Sequence, residues 1–234
     1  MLQWLNKRLF KTRFIRQSKD RFSVFPDPNE PRITSANLSV DTFLNTPAAL
    51  RDRLSLLDRA FKCAEADGLN LEFGVFEGRS IRFLASKYST RQFHGFDSFE
   101  GLPEAWDRSS ADYKDAGHFA VPTLPSVPEN VTLIAGWFNE TLEPWLAENA
   151  GPIAFLHIDS DIYSSAIYLL TALEHRFQSG TVIVFDDLGD WTGSRYENWQ
   201  DGEWRALSEW LASSGRELVL LGRGPTHSAA FRVV

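Results

Sequence analysis

Short apolar runs alternate with amphipathic segments of helical spacing from residue 70 onward, and this alternation restricts the fold. Strand and helix signals in this order predict βα units, which build a mostly parallel sheet with helices on both faces. Strands are predicted near 70–75, 92–97, 131–135, 153–159 and 181–186, and helices near 79–88, 139–149, 163–177 and 203–213.

The last two apolar runs, 217–222 and 228–234, are separated by a turn too short for a parallel crossover. They therefore predict an antiparallel hairpin. The predicted fold class is α/β and doubly wound, with a mostly parallel seven-stranded sheet that contains an antiparallel C-terminal strand.

A length of 234 residues and a hydrophobic content of 43% fit one globular domain with a terminal extension. Thr46 followed by Pro47 is typical of a helix start, so the main domain is predicted to span 46–234. One cysteine, Cys63, excludes an internal disulfide and favours a cytoplasmic protein. No apolar run reaches 18 residues and no secretory signal is recognisable, so neither a membrane span nor export is expected.

The formal net charge of −7 is unevenly distributed along the chain. The first 21 residues hold seven of the 24 basic residues and one of the 31 acidic ones. The acidic remainder argues against nucleic-acid binding, which needs Lys and Arg to replace counterions. Residues 1–45 are predicted as a basic amphipathic helix followed by an irregular arm. That helix could pack on the body or on a second subunit, lie on a membrane surface, or be disordered.

The first predicted strand runs into the stretch LEFGVFEGRS (71–80), in which Gly74 and Gly78 frame a turn to a helix. Glycines at such a turn let a ligand approach the backbone closely, although they are also common for structural reasons. Glu72 and Glu77 flank the turn and suit a cationic ligand. Asp97 ends the second strand, where an acid is placed to bind ribose hydroxyls, with a turn cap as the alternative. Turn and acid together indicate a nucleoside-bearing cofactor.

The third predicted strand ends in Gly136, Trp137 and Phe138. These rings could sandwich an adenine, or they could belong to the core. Two further segments, 99–130 and 188–200, are long enough to cover a site at this edge of the sheet. The second of them offers stacking faces and donors for a sugar ring, with packing beneath the last helix as the alternative: Trp191, Arg195, Tyr196 and Trp199.

Four carboxylates follow the fourth and fifth predicted strands. Asp159 and Asp161 lie in LHIDSDIYSS (156–165), and Asp186 and Asp187 close the run TVIVF. Because neighbouring parallel strands end at the same edge, these acids are predicted to converge without a nearby Lys or Arg. A hard divalent cation such as Mg²⁺, Mn²⁺ or Ca²⁺ would relieve their repulsion. The alternative is that the acids cap the helices that follow.

Taken together, these stretches resemble the class I S-adenosylmethionine-dependent methyltransferases, and more closely the macrocin-type sugar O-methyltransferases. The matching segments span roughly 70–190, about half of the chain: LEFGVFEGRS, GFDSFEGLPE, PSVPENVTLIAGWFNETL, LHIDSDIYSS and GTVIVFDD. The resemblance implies a Rossmann-like sheet with the last strand inserted antiparallel. It does not account for the basic N-terminal helix.

The resemblance also implies the site residues. S-adenosylmethionine would bind along the ends of the first three strands, at Glu72, Gly74, Gly78, Ser80, Asp97, Ser98, Gly136, Trp137 and Phe138. Asp159, Asp186 and Asp187 would hold Mg²⁺ or Mn²⁺, with Asp159 and Asp161 as the catalytic pair and Asp161 as the candidate base. His157 is expected to be a core histidine.

The predicted function is therefore metal-dependent transfer of a methyl group from S-adenosylmethionine to a hydroxyl of a sugar or other polyhydroxylated small molecule. The acceptor would be a small molecule or glycan, as in natural product or polysaccharide modification, and a homo-oligomer is expected. Two alternatives remain at this point: a metal-dependent hydroxylase of the same fold that acts on a natural product, and a non-catalytic scaffold that binds the cofactor.

Overall fold

The computed structural model of the chain describes residues 31–44, 51–64, 67–193 and 196–234. The predicted basic helix, the predicted helix start at Thr46-Pro47, and Arg195 lie outside these residues. Among the described residues, no helix is long and apolar enough to cross a membrane.

The structure contains a main sheet and a separate hairpin. The strands in chain order are β1 (Arg32–Ile33), β2 (Leu69–Phe73), β3 (Phe93–Asp97), β4 (Trp106–Ser109), β5 (Asp112–Lys114), β6 (Val131–Ala135), β7 (Ile153–Ile158), β8 (Val182–Phe185), β9 (Leu218–Arg223) and β10 (Ala229–Val233). Strands β4 and β5 form the hairpin, and the other eight form the main sheet in the order β1-β9-β10-β8-β7-β2-β3-β6.

Five strands of the sheet run parallel to one another: β2, β3, β6, β7 and β8. Strand β10 inserts antiparallel between β8 and β9, which confirms the predicted C-terminal hairpin. The eighth strand, β1, pairs antiparallel with β9 at the edge and was not predicted from the sequence.

Within the described part of the chain, six α-helices connect the strands: α1 (Val40–Leu44), α2 (Arg53–Lys62), α3 (Arg79–Lys87), α4 (Phe138–Glu148), α5 (Tyr163–Leu173) and α6 (Glu203–Ser214). Helix α5 ends four residues earlier than predicted and continues as a 3₁₀ turn, Glu174–Arg176. A second 3₁₀ turn, Trp199–Asp201, precedes α6. The helix before β2 begins at Arg53, because the carboxylate of Asp52 accepts the backbone N–H of Ser55 and caps it there.

Helices cover both faces of the sheet, and β7 shows how. All six residues of this strand are buried, as expected for a parallel strand between two helical layers. Successive side chains point to opposite faces. Phe155 contacts Phe61 of α2, whereas Leu156 belongs to the core cluster that includes Leu169 of α5 and Leu207 of α6.

Part of the predicted irregular arm packs on the body. Ile33 pairs with Leu218 of β9, and the ring of Phe43 stacks on Trp191 with centroids 5.0 Å apart. Both Ile33 and Phe43 are buried. The packed body therefore begins before the predicted boundary at residue 46, because two apolar side chains in this polar stretch reach the core.

The parallel register brings the strand ends side by side. Phe73 of β2 is paired with Phe96 of β3 and with Ile158 of β7, and Ile158 is paired with Phe185 of β8. The residues that follow these strands therefore lie at one edge of the sheet, where ligands bind in open α/β folds.

Candidate active site

A cavity of about 670 Å³ opens at the carboxyl edge of the parallel strands. Of the predicted site residues, the structure places these in its wall: Gly74, Asp97, Ser98, Trp137, Phe138, Asp159, Asp161, Asp186 and Asp187. The cavity wall does not include Glu72, Gly78, Ser80 or Gly136. The strand ends thus form one site, and four of the predicted cofactor contacts are not part of its wall.

Glu72 and Ser80 contact each other instead of the cavity. The hydroxyl of Ser80 donates to Glu72 Oε1 at 2.8 Å, and Glu72 Oε2 lies 2.9 Å from His157 Nδ1. All three side chains are buried. Burial alone would lower the pKa of His157, but the carboxylates of Asp186 and Glu72 outweigh it and raise the pKa to about 10. His157 is therefore a buried, paired histidine, as expected.

The glycines of the β2–α3 turn are required by protein atoms. Gly74 has φ +91°, and a Cβ there would collide with the carbonyl oxygen of Asp159. Gly78 has φ +76°, and its Cβ would meet Pro125 of the segment that covers the turn. Gly74 therefore allows the end of β7 to approach β2, which is the structural role that the sequence left open beside a ligand contact. Gly136, with φ +137°, faces the methyl group of Thr141.

Asp97 caps the same turn. Its Oδ2 accepts the backbone N–H groups of Val75 and Phe76, and its Oδ1 accepts that of Phe99, each at 2.7 Å. This is the alternative left open by the sequence. The carboxylate nevertheless lines the cavity together with Ser98, and Oδ1, which accepts a single N–H group, has a second lone pair for a ligand.

Both aromatic residues after β6 line the cavity, and Phe138 also packs against the core. Trp137 is the N-cap residue of α4 and lines the cavity. Phe138 lines it as well, and its ring also packs edge-on against Phe73 with centroids 5.3 Å apart. A flat ligand could therefore meet both rings next to the strand ends.

Three carboxylates converge at the ends of β7 and β8. Asp159, Asp161 and Asp187 each offer an oxygen within 4.8 Å of the others, a spacing that could hold a metal ion. The predicted set contained Asp186 in place of Asp161. In the structure Asp186 Oδ1 lies 2.7 Å from Arg53 Nε and 3.7 Å from His157 Nε2.

Burial and mutual repulsion shift the pKa values of these acids. Burial and the carboxylate of Asp186 raise the pKa of Asp159 to about 6. Burial and the charges of Asp186 and Asp159 raise the pKa of Asp187 to about 7. The pKa of Asp161 lies well above its usual range, because the side chain is removed from water and faces Asp187. Only Asp186 has a lowered pKa, since Arg53 and His157 outweigh its burial.

Two arginines that the sequence interpretation missed enter this cluster. Arg53 forms an ion pair with Asp159 and another with Asp186. Arg108 Nη2 lies 3.7 Å from Asp187 Oδ1. The expectation that no Lys or Arg lies nearby is wrong. The position of Arg53 could have been predicted from the sequence. Helix α2 leads into β2 and runs antiparallel to it, so the first turn of α2, which contains Arg53, lies at the carboxyl edge of the parallel strands.

The hairpin β4–β5 covers one side of the site. The guanidinium of Arg108 lies 4.5 Å from the ring centroid of Trp106 and 5.0 Å from that of Tyr196. Arg108 also pairs with Asp112 at 2.8 Å. Trp106 and Arg108 both line the cavity, so the long 99–130 connection does contribute to its wall.

The aromatic residues of the 188–200 segment pack inside the protein. Trp191 stacks on Phe43, the ring of Trp199 meets Trp204 at 5.0 Å, and Tyr196 is buried against Trp106. None of these three side chains lines the cavity, so they pack in the protein interior instead of offering faces to a sugar ring. Phe76 and Phe119, in edge-on contact at 5.5 Å, line it instead.

Comparison with known proteins agrees with this architecture. The family described as a methyltransferase domain matches residues 71–188. The chain therefore belongs to this methyltransferase family, and the prediction of a methyltransferase enzyme is confirmed. No curated protein gives a significant match.

Solved structures show the same fold. The chain is similar to CalS11, a calicheamicin methyltransferase, with a TM-score of 0.62 and 25% identity over 76% of this chain and 77% of the other. The apo structure of CalS11, named a TDP-rhamnose 3'-O-methyltransferase, gives 0.55 and 23% over 76% and 77%. The O-methyltransferase NovP gives 0.52 and 22% over 75% and 78%.

Proposed function

We propose that this methyltransferase transfers a methyl group from S-adenosylmethionine to a hydroxyl of a sugar or other polyhydroxylated small molecule, with the help of a divalent cation. The observation that carries the proposal is the shape of the cavity wall. The strand ends of β2, β3 and β6 supply a polar and aromatic half, and those of β7 and β8 supply three converging carboxylates. The two halves meet where Gly74 touches the backbone of Asp159.

The first half fits S-adenosylmethionine. Asp97 and Ser98 offer acceptors for ribose hydroxyls, and Trp137 and Phe138 offer faces for a purine ring. The acidic wall suits a ligand that carries a sulfonium and an ammonium group. When bound, the cofactor supplies an electrophilic methyl group, and the chain's own task is to hold the acceptor in line with it.

The second half fits Mg²⁺ or Mn²⁺. Asp159, Asp161 and Asp187 form an all-oxygen donor set of the kind that hard divalent cations prefer. Ser160, between two of them, has a buried hydroxyl with no hydrogen-bond partner among the described residues. A cation held there would lower the pKa of an acceptor hydroxyl.

Asp161 is the proposed general base, through the carboxylate oxygen that it does not offer to the cation, since each acid of the set offers one ligand oxygen. Its backbone has φ +64°, a conformation that aspartate tolerates better than most residues and that is frequent at functional sites. In the metal-free protein, burial and the facing Asp187 raise its pKa well above the usual range, and a bound cation would lower that pKa again so that the carboxylate is ionised and ready to accept a proton. It would take the proton from the acceptor hydroxyl as the oxygen attacks the methyl carbon, the methyl–sulfur bond would break, and S-adenosylhomocysteine would be the leaving group.

The acceptor class rests on the resemblance to the macrocin-type enzymes and on the named relatives. CalS11 is a calicheamicin methyltransferase, and its apo structure is named for a sugar nucleotide. These names support a hydroxylated natural product or glycan as the acceptor here. Contact through residues 1–21, homo-oligomer formation and a cytoplasmic location stay predictions from the sequence.

Calorimetry with S-adenosylmethionine, with and without Mg²⁺, tests the proposal directly. Asp159→Ala should abolish metal-dependent methyl transfer while the cofactor still binds, because Asp159 belongs to the acidic half of the cavity. Asp67→Ala, which removes a side chain that is 97% exposed, is the matched control and should change neither. Failure of the folded protein to bind S-adenosylmethionine, or full activity of Asp159→Ala, would refute it.

A further inference from the structure

Arg53 occupies an unusual position within the acidic site. It is the first residue of α2, and the Asp52 cap fixes where the helix begins. From there the guanidinium pairs with Asp159 through Nη2, and its Nε lies 2.7 Å from Asp186 Oδ1. The helix behind it is held by the buried side chains of Leu57 and Phe61. Arg53 is thus a positive group built into the site by a packed element.

The four acids of the site are not equally compensated. Asp186 Oδ1 faces two positive groups, Arg53 and the imidazole of His157, and Asp159 is paired with Arg53 as well. Among the described residues, the ion pair of Asp187 is with Arg108 at 3.7 Å, and the carboxylates that face Asp161 are Asp159, Asp187, Asp186 and Glu203. A carboxylate oxygen already paired with a guanidinium loses part of its attraction for a second cation.

We propose that Arg53 is a resident counter-ion of Asp159 and Asp186 that competes with a divalent cation for these two carboxylates and limits the affinity of the site for it. This inference rests on the proposed metal-assisted methyl transfer and adds to it a residue that controls metal occupancy. Arg53 acts through the carboxylates, so it is a positioning residue.

The proposal predicts an intermediate effect for Arg53→Lys. An ammonium group keeps the charge but acts as a single point, whereas the planar guanidinium reaches two carboxylates at once. Lysine at this position can hold Asp159 or Asp186 but not both in the observed arrangement. The affinity for the metal should therefore rise in this variant and rise further in Arg53→Gln.

The test measures Mn²⁺ affinity by calorimetry on the full chain, without cofactor or acceptor. Arg53→Gln should bind Mn²⁺ about tenfold more tightly than the unmodified protein, because a positive charge within a few ångströms of the site is removed. Arg53→Lys should give an increase of about threefold. Arg51→Gln is the matched control, since Arg51 is 91% exposed and pairs with Asp52 outside the cavity, and it should leave the affinity unchanged.

The role of Asp186 is tested in both backgrounds. Asp186→Asn should weaken Mn²⁺ binding more in the Arg53→Gln background than in the unmodified protein, because Arg53 already compensates the charge of this carboxylate in the unmodified protein. Equal losses in both backgrounds, or unchanged or weaker binding in Arg53→Gln, would overturn the inference. If Arg53→Gln does not fold, as judged by circular dichroism, Arg53→Lys replaces it in the test. An increase in Mn²⁺ affinity is again the expected result, and an unchanged or lower affinity would overturn the inference.

The same preparations separate this inference from the proposed function. If S-adenosylmethionine binds and methyl transfer needs metal, but the Arg53 variants leave the Mn²⁺ affinity unchanged, the inference fails and the proposed function stands. If S-adenosylmethionine does not bind to the folded protein, the proposed function itself fails. If neither the unmodified protein nor Arg53→Gln binds Mn²⁺, the assignment of a metal site is refuted and the inference with it.

Discussion

Asp187→Asn should stabilise the metal-free protein at pH 8, although it removes a proposed functional group. Asp187 is nearly buried, and burial together with Asp186 and Asp159 raises its pKa from 3.8 to about 7. A raised pKa means that the folded state binds its proton more tightly than the unfolded state does. Its contribution to stability is therefore present below about pH 4 and is lost as the pH rises through about 7.

The expected magnitude follows from that pKa. A rise from 3.8 to about 7 corresponds to about 4 kcal/mol of lost stability at 1.36 kcal/mol for each pKa unit. Asp187 and Asp159 repel each other, so removing one charge also eases the ionisation of the other, and part of the effect is shared. We therefore expect a gain of about 2–4 kcal/mol at pH 8 and less than about 1 kcal/mol at pH 4.

Urea unfolding in the presence of EDTA at both pH values measures this difference. Asp67→Asn serves as the control, because its side chain is 97% exposed and lies outside the cluster. Replacing EDTA with Mn²⁺ at pH 8 should stabilise the unmodified protein and have a smaller effect on Asp187→Asn. A variant that is no more stable than the unmodified protein at pH 8, or equally stabilised at pH 4 and pH 8, would refute the argument from buried repulsion.

Three further outcomes are expected. Gly74→Ala should destabilise the fold by about 3 kcal/mol or more in thermal unfolding, because φ is +91° and the new methyl group meets the carbonyl oxygen of Asp159. Phe155→Ala should cost about 3–5 kcal/mol in urea unfolding, since it empties a buried site against Phe61. Trp137→Ala should weaken S-adenosylmethionine binding by about three- to tenfold in calorimetry, and unchanged affinity would remove this ring from the cofactor site.

Much of the fold could be predicted because the signals are local. The continuous apolar run of β7 identifies a strand buried on both faces, and the short turn before β10 requires an antiparallel neighbour. The convergence of Asp159, Asp161 and Asp187 followed from the rule that adjacent parallel strands end at one edge. The eighth strand could not be predicted, since two residues carry no periodicity and β1 forms only against β9.

The details of the site depended on pairings between distant residues. Asp97 could bind ribose or cap a turn, and the three backbone N–H groups at 2.7 Å show that it caps the turn while it still lines the cavity. Trp191 could line the cavity or the core, and its stacking on Phe43 places it in the core. Both contacts involve a residue distant along the chain, Val75 for Asp97 and Phe43 for Trp191.

By itself, the sequence determined the order of strands and helices, the edge at which the site forms and the acidic residues that reach it. Only the tertiary structure decided which charges compensate one another, because Arg53 meets Asp159 from 106 positions away. Backbone periodicity is a local property, and it records where strands end. Electrostatic balance depends on the distance between side chains in space, and for Arg53 and Asp186 that distance is set by how α2 packs on the sheet.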